Sequence, residues 1–401
     1  MSPQTSGPLS GLLVADFSRV VAGPYAAMLL GDLGAEVVKV ERPGAGDDTR
    51  GFGPPFVPDG AGGTTSSYYL SVNRNKRGVA WDLRSEEGRQ KASRLAARAD
   101  VLIENFKPGT AARLGLGYEE LARANPRLVY CSVSGFGWGE EGSKLPGYDF
   151  LAQAVSGLMS ITGDPPERGG EPRKVGVAVV DVLTALFAAN GIMAALYERE
   201  RSGLGQLVRV DLLSSSLAAL INQASTYLTS GRVPGAMANR HPSIAPYETL
   251  AASDRPLVVA VGNDGQFAAF CRVLEREQLA RDARFVTNEG RVANREEMVV
   301  LLEEALAARP AAAWVAALAE AGVPSGVVND IGEAFALAER LGLSPAVRIA
   351  AGEVRGQPAA EADPGAQVSS PIGLSRTPVS YRLAPPRLGE HSAEVERELE
   401  V

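Results

Sequence analysis

Residues 11–41 read GLLVADFSRVVAGPYAAMLLGDLGAEVVKVE, and this stretch decides the fold class. The apolar run LLVADF is typical of a buried strand, and EVVKVE is typical of a second one. Between them, GPYAAMLLGDLGA has apolar residues at helical spacing, with Pro24 near the helix start, where a missing N–H does no harm. The stretch therefore predicts a β–α–β unit, the building block of a parallel sheet.

The same alternation of strands and helices continues to about residue 225. The later predicted strands are GVAWDL (78–83), DVLIENF (100–106), LVYCSVSGFG (128–137) and GQLVRVD (205–211). Ser85 is a predicted helix N-cap, because acidic residues and helical spacing follow it. The strand at 205–211 is expected to lead into one long helix.

The pattern changes after about residue 225, where short strands and helices with a break at Pro310 follow. We predict an α/β fold with a Rossmann-like large domain that contains a parallel sheet, over residues 1–220. A smaller α+β domain is predicted over 225–325, and 330–401 is a predicted C-terminal return to the large domain. The Pro- and Gly-rich tail is expected to hold the short strand VRIAAGEV and a final helix, SAEVERELE.

Composition excludes several classes of function. The net charge of −7 without a dense basic cluster gives no indication of nucleic-acid binding. The two histidines, His241 and His391, disfavour a zinc site and a Ser–His–Asp mechanism, so no metal is predicted. The two cysteines, Cys131 and Cys271, lie far apart, which favours a reducing cytoplasm.

Asp181 is the one charged residue in VGVAVVDVLTALFAANGIMAALY, residues 175–197. Because Asp181, Asn190 and Gly191 interrupt the apolar run, a buried core helix is predicted rather than a membrane span. A carboxylate in such a run is paired, caps a helix or takes part in chemistry. The residues alone leave these alternatives open.

The turn after the first strand, DFSRVVAGPYAAML, lacks the GxGxxG fingerprint of dinucleotide-binding proteins. A nicotinamide or flavin enzyme is therefore disfavoured. Glu41 and Arg42 end the second strand, where they form either a solvated strand end or a phosphate contact.

Several long segments, taken in order, resemble the family III CoA-transferases, which include formyl-CoA transferase, carnitine CoA-transferase and a branch of α-methylacyl-CoA racemases. The segments are VVAGPYAAMLLGDLGAEVVKVERPGAGDDTR, LSVNRNKRGVAWDL, ENFKPGTAARLGLGYEEL, YCSVSGFG, GYDFLAQAVSGLMSITG and VDVLTALFAANGIMAALYERERSGLGQ. Within the family, NRHPSIAPYETL, VGNDGQFAAFC and GVPSGVVNDI are most similar to the succinate–hydroxymethylglutarate CoA-transferase group.

The resemblance implies that Asp181 is the catalytic nucleophile. It would attack an acyl-CoA thioester, forming an aspartyl anhydride and then an aspartyl-CoA thioester. Free backbone N–H groups at a helix start favour an ionised carboxylate, so Asp181 is expected to be anionic at neutral pH. A plain N-cap is the alternative, and both roles are compatible.

The resemblance also assigns binding residues. The implied CoA contacts are Val21, Ala22, Arg42, Asn73, Lys76, Asn105, Phe106 and Arg113. A glycine-containing loop over the active site is implied for Gly262, Asn263, Asp264, Gly265 and Gln266, with a simple turn as the alternative. Tyr148 occupies the position of the histidine base in the racemase branch, and tyrosine is a poor base at neutral pH, so transfer is favoured over epimerisation.

We expect CoA transfer from an acyl-CoA such as succinyl-CoA to a C4–C6 dicarboxylate, glutarate or hydroxymethylglutarate. Arg240 and His241 are predicted to hold the second carboxylate of that acid, with Arg240 as a surface or interface residue as the alternative. The rival functions are an acyl-CoA racemase and a non-catalytic CoA-binding protein. The resemblance further implies an interlocked homodimer, and we expect a cytoplasmic enzyme without nucleic-acid or membrane partners.

Overall fold

The computed structural model describes residues 7–59, 62–349 and 365–400. Its strands in chain order are β1 (Leu13–Asp16), β2 (Glu36–Glu41), β3 (Phe56–Pro58), β4 (Thr64–Ser66), β5 (Lys76–Ala80), β6 (Val101–Glu104), β7 (Val129–Ser134), β8 (Leu207–Asp211), β9 (Tyr247–Leu250), β10 (Leu257–Ala260), β11 (Ser325–Val327), β12 (Ala346–Arg348) and β13 (Ala366–Val368).

The α-helices in chain order are α1 (Ala22–Asp32), α2 (Ser67–Ser71), α3 (Glu86–Arg98), α4 (Thr110–Arg113), α5 (Tyr118–Ala124), α6 (Asp149–Val155), α7 (Val179–Ser202), α8 (Leu212–Ala219), α9 (Ile221–Ser230), α10 (Asp264–Val273), α11 (Asn288–Ala293), α12 (Arg295–Leu306), α13 (Ala311–Glu320), α14 (Ile331–Arg340) and α15 (Ser392–Glu400).

The principal sheet has six parallel strands in the order β5-β2-β1-β6-β7-β8, which confirms the predicted α/β fold. Strand β1 lies inside the sheet and pairs with β2 on one side and β6 on the other. In chain order, β2 and β5 are added on one side of β1, and β6, β7 and β8 are then added on the other side. Open parallel sheets bind ligands at the carboxyl ends of the strands where this reversal occurs, here beyond Asp16 and Glu104.

The chain divides into two compact units. Of the described residues, the first unit holds those up to Leu158, Lys174–Arg232 and those from Ser344 onward, and the second holds Met159–Arg173 and Val233–Leu343. The second unit thus starts and ends later than the predicted range 225–325 and gains a short segment before α7. Helix α9 belongs to the first unit because it follows α8 directly from the last strand of the parallel sheet.

The second unit has its own antiparallel sheet, in the order β11-β10-β9. Its core is a cluster of fully buried side chains from α10, α12 and α13, including Phe267, Phe270, Leu302 and Trp314. Helices α12 and α13 are separate, and Pro310 is the N-cap residue of α13, as predicted for the break.

Local predictions elsewhere are confirmed in part. Ser85 caps α3, where its side chain accepts a hydrogen bond from the Gly88 N–H. The single long helix predicted after β8 is wrong, because the chain breaks at Leu220 and Ile221 has a left-handed φ of 42°. The predicted strand VRIAAGEV lies partly outside the described residues, which include its first positions in β12.

The C-terminal segment covers the outer strand of the parallel sheet. The His391 N–H donates to the Gly78 carbonyl at 2.9 Å, and the Gly78 N–H donates to His391 Nδ1 at 3.2 Å. The Ala80 N–H donates to Ser392 Oγ at 3.1 Å. These bonds satisfy backbone groups of β5 that a sheet edge otherwise exposes.

Candidate active site

Asp181 lies in the first turn of α7 and is 8% exposed. The N-cap position of this helix is Ala178, whose side chain cannot accept a hydrogen bond. Asp149 supplies the missing acceptor from another helix. Its Oδ1 accepts from the Val180 N–H at 2.8 Å and from the Asp181 N–H at 3.2 Å. The alternative in which Asp181 is a plain N-cap therefore does not hold, because Asp149 caps the helix.

Helix α6 holds this cap in place. Asp149 is its first residue, and the fully buried Gln153 follows one turn later. Gln153 Nε2 donates to Asp149 Oδ2 at 2.6 Å, and Gln153 Oε1 accepts from the Val175 N–H at 2.8 Å. The two side chains thus fix the backbone that leads into α7 and carries Asp181.

The expectation of an anionic Asp181 at neutral pH requires correction. Burial, and second the negative charge of Asp149, raise the pKa of Asp181 to about 7. The free N–H groups that would have stabilised its charge already bind Asp149. Among the described residues, no donor is hydrogen-bonded to the Asp181 carboxylate. The protonated form of Asp181 is consequently favoured far more at neutral pH than in an ordinary aspartate.

A cavity of about 300 Å³ opens beside Asp181 within the first unit. The loops that follow β1, β6 and β7 line it, so it lies at the carboxyl ends of the central strands. Four of the predicted CoA contacts face this cavity together with the predicted nucleophile: Val21, Ala22, Asn105 and Phe106. Asn105 also fixes the loop after β1, because its side-chain amide accepts from the Arg19 N–H and donates to the Arg19 carbonyl.

The other four predicted CoA contacts do not line this cavity. Arg42 and Arg113 are exposed. Lys76 and Asn73 are fully buried, and Lys76 Nζ donates to Asp16 Oδ2, the Pro24 carbonyl and Asn73 Oδ1 at 2.8–2.9 Å. All three ammonium hydrogens are used, so Lys76 has none for a phosphate, and the side-chain amide of Asn73 is likewise occupied.

Lys76 belongs to a buried charge cluster, which we define as Asp16, Lys39, Asp47 and Lys76. Each side chain in it is 0–3% exposed, and each ammonium faces a carboxylate at 2.8–2.9 Å. Lys39 also donates to the Ser18 carbonyl, and Asp47 Oδ1 accepts from the Val20 N–H. The cluster thereby supports the cavity loop in which Val20, a β-branched residue, has the strained φ of 69°.

Three further cations line the cavity, and the sequence resemblance does not assign them to the site: Arg19, Lys107 and Lys144. Arg19 is paired with Asp48 at 3.0 Å, and its side chain is 65% exposed. Lys144 pairs with Glu140 and Glu141 on its own turn. Tyr148 also lines the cavity and is 65% exposed.

The predicted glycine loop lies in the second unit and forms the start of α10. Asn263 caps this helix by accepting from the Gln266 N–H, and Gln266 Oε1 accepts from the Gly262 N–H at 2.8 Å. The fully buried Arg291 anchors Asp264 at 2.8 Å. Neither glycine of this segment has a positive φ, so the turn does not depend on glycine conformation.

Arg240 and His241 also belong to the second unit. The Arg240 guanidinium pairs with Glu248 at 3.2 Å and with both carboxylate oxygens of Glu296. His241 Nδ1 accepts from the Ser243 N–H at 3.1 Å. Two carboxylates thus already neutralise the cation that was predicted to bind an acid.

Within residues 7–59, 62–349 and 365–400, no group of three His, Cys, Asp or Glu side chains is arranged to hold a metal ion. Helix α7 has the length and apolar composition of a membrane span, and half of its most apolar window is buried inside the protein. This partial burial agrees with the predicted core helix.

The sequence pattern that describes CoA-transferase family III matches residues 9–392. The chain is a family III CoA-transferase. This CoA-transferase is 42% identical to succinate–glutarate CoA-transferase of Agrobacterium fabrum, with 99% of this chain and 97% of the relative covered. It is 40% identical to human succinyl-CoA:glutarate CoA-transferase, with 98% and 86% covered. A crystal structure of a CaiB/BaiF family protein from Brucella suis is similar at a TM-score of 0.87 and 41% identity, with 98% and 100% covered.

Proposed function

We propose that this CoA-transferase moves CoA from succinyl-CoA to glutarate, with hydroxymethylglutarate as an alternative acceptor. One observation carries the proposal. Asp181 lies at a capped helix start and lines the cavity. Among the described residues, its carboxylate has no hydrogen-bond partner. The relatives named for succinate and glutarate support the choice of acids.

In the proposed mechanism, an Asp181 oxygen attacks the thioester carbonyl carbon of succinyl-CoA. The C–S bond breaks, and the CoA thiolate leaves with the electron pair. The thiolate then attacks the aspartyl carbonyl of the anhydride, which gives an aspartyl-CoA thioester and free succinate. Glutarate attacks that thioester, and the same steps in reverse form glutaryl-CoA and restore the carboxylate. No external base is needed once Asp181 is ionised, because each nucleophile is then an anion.

CoA enters this scheme as a substrate. We propose that Val21, Ala22, Asn105 and Phe106 contact its arm in the cavity. Arg42 and Arg113 remain proposals for its phosphates, since both are exposed cations. Lys76 and Asn73 act one layer below, where they support the loop after β1. The predicted role of Gly262–Gln266 in excluding water from the anhydride stays a proposal.

The second carboxylate of glutarate needs a cation or several donors, because burial without a partner is unfavourable. Arg19 is the favoured cation, since it lines the same cavity as Asp181 and its own partner, Asp48, is exposed. Arg240, with His241 beside it, is the alternative from the sequence resemblance, and it would first have to leave Glu248 and Glu296.

The proposal includes the predicted homodimer. Helix α7 leaves large apolar side chains exposed along one face, and these are Leu186, Phe187, Met193 and Tyr197, which are 39–67% exposed. Apolar side chains at this helical spacing favour burial against a second protein surface. A cytoplasmic location also stays a prediction, and both cysteines are buried and unpaired.

The deciding experiment offers succinyl-CoA with a panel of carboxylates and identifies the product CoA esters by mass. Glutaryl-CoA is the expected product. Transfer to monocarboxylates alone would contradict the choice of acid. Deuterium exchange at the α-carbon without any acceptor would favour the racemase, and CoA binding without turnover would favour a non-catalytic protein.

Arg19→Met and Arg240→Met separate the two candidate cations. The variant that removes the true partner is expected to raise KM for glutarate by about ten- to a hundredfold. The KM for butyrate, which has no second carboxylate, controls for general damage. Equal weakening of both acids by Arg19→Met would remove Arg19 from the acceptor site.

A further inference from the structure

The cap on α7 comes from a carboxylate of another helix, placed next to the nucleophile it supports. Asp149 accepts three hydrogen bonds, two from the backbone of α7 and one from Gln153. An asparagine or serine could accept from the same N–H groups without adding a charge. The site instead has a second carboxylate beside a buried one, an arrangement that disfavours the ionised form of its neighbour.

We propose that Asp149 is a positioning residue for the Asp181 nucleophile: it fixes the first turn of α7 and places a second carboxylate beside the first. The inference rests on the proposed function, in which Asp181 attacks the acyl-CoA. Its geometric part stands on the two backbone bonds at 2.8 and 3.2 Å and on the buried Gln153 behind them.

Two causes raise the pKa of Asp181, burial first and the charge of Asp149 second. Other ionisable groups also face this region: Arg19, Asp48, Lys107, Lys144 and Tyr148 line the cavity, and the pKa of Tyr68 is raised by burial and by the charges of Asp181 and Asp149. Of these groups, Asp149 is the one whose charge adds to the effect of burial on the pKa of Asp181.

The chemical consequence concerns the first covalent step. When an Asp181 oxygen bonds to the thioester carbon, the C–S bond breaks and the negative charge moves to the departing sulfur. The repulsion between Asp181 and Asp149 ends at that moment, so Asp149 favours the acylated enzyme over the free one. A more basic carboxylate is also a stronger nucleophile, which acts in the same direction.

Asp149→Asn tests the proposal, because asparagine keeps an acceptor for the backbone N–H groups and removes the charge. Two pH profiles are measured: kcat/KM for transfer, and the labelling of Asp181 by a water-soluble carbodiimide, read by peptide mass. Both midpoints are expected to move to lower pH by about one pH unit. The rate above the midpoint is expected to fall several-fold.

Two control variants isolate the charge. Gln153→Met removes the support of the cap but no charge, so it is expected to lower the rate without moving either midpoint. Asp330→Asn makes the same change at another capped helix start, α14, and is expected to leave the midpoints unchanged. Asp149→Glu keeps the charge and is expected to keep midpoints near the wild-type value while the rate falls.

Unmoved midpoints in Asp149→Asn, with only a lower melting temperature, would overturn the proposal and leave Asp149 as a plain cap. If Asp149→Asn did not fold, a wild-type midpoint in Asp149→Glu would support the charge effect and a lowered one would contradict it. Carbodiimide labelling needs no turnover. Absence of transfer in the wild type would therefore contradict the proposed function, while the labelling midpoints would still report on Asp149.

Discussion

Two groups of buried charged side chains in the first unit differ in how their charges are paired and in whether they line a cavity. In the buried charge cluster, two ammonium groups face two carboxylates, and each side chain is 0–3% exposed. At the start of α7, the carboxylates of Asp149 and Asp181 lie together and line an open cavity, and within the part of the chain that the structure describes no cation is bonded to Asp181. Opposite charges that satisfy one another build a rigid support, whereas like charges beside a cavity create a reactive group.

The largest expected effect is on turnover. Asp181→Asn is expected to lower CoA transfer by several orders of magnitude, because an amide cannot form the anhydride. CoA binding should persist, as measured by calorimetry. Hydroxylamine trapping during turnover should modify Asp181 in the wild-type enzyme. Near-normal turnover in a folded Asn variant, verified by mass, would contradict the assigned nucleophile.

Removing one charge from the buried cluster is expected to act on stability instead. Lys76→Met leaves Asp16 buried without its main partner, and breaking such a pair costs about 3–5 kcal/mol in the free energy of unfolding. Urea denaturation at pH 7 measures the loss. Lys144→Met, which removes an exposed lysine, is the control and should change stability by no more than about 0.5 kcal/mol. A Lys76 variant as stable as the control would show that the cluster is not structural.

In contrast to the buried charge cluster, the ionised carboxylate of Asp181 should lower the stability of the folded protein. The pKa of Asp181 is about 7 in the folded protein and 3.8 as its ordinary value, so the folded state holds the proton more tightly. Stability therefore falls as pH rises from about 4 to 7, and the loss corresponds to at most about 4 kcal/mol. Asp181→Asn should be more stable than wild type at pH 8 and nearly equal at pH 4.5. Equal stability at both values would disprove the pKa shift.

The smallest effect belongs to Asp47 of the buried cluster. Its pKa is lowered from 3.8 to about 2; burial, the largest influence, acts against this shift and is outweighed by the charge and hydrogen bond of Lys39 and the bonds from Thr49. The resulting stabilisation is present above pH 4 and is lost as pH falls toward 2, by about 2 kcal/mol. Between pH 5 and 3, urea midpoints of the wild type should fall more steeply than those of Asp47→Asn. Parallel slopes would contradict this assignment.

The sequence predicted what depends on local periodicity. The β–α–β unit, the Ser85 cap and the helix around Asp181 follow from patterns within about 20 residues. The family resemblance predicts Lys76 as a CoA contact, and the sequence does not show that its side chain is fully buried. Its partner Asp16 lies 60 residues away, and Arg240 is neutralised by Glu296, which is 56 residues away.

Asp149 illustrates the same limit at closer range. It stands next to Tyr148 in the GYDF segment, which the sequence analysis used only to weigh racemisation against transfer. Its role depends on the packing of α6 against α7, which joins residues 31 and 32 positions apart. In the sequence, a single acidic residue that follows an aromatic residue forms no motif that predicts a role. A helix start without a capping side chain was the one signal that an acceptor from elsewhere was needed.

The hydrogen bonds between the C-terminal segment and β5 also have a consequence for biosynthesis. Gly78 and the ring of His391 that bonds to it are 313 residues apart, which corresponds to roughly 15–60 s of translation. During that interval the outer strand of the nascent sheet has unpaired N–H and C=O groups that neighbouring polypeptides on the same polysome can pair with. We therefore expect slow translation between β8 and α15 to lower the yield of native protein, because the edge of β5 then stays uncovered for longer.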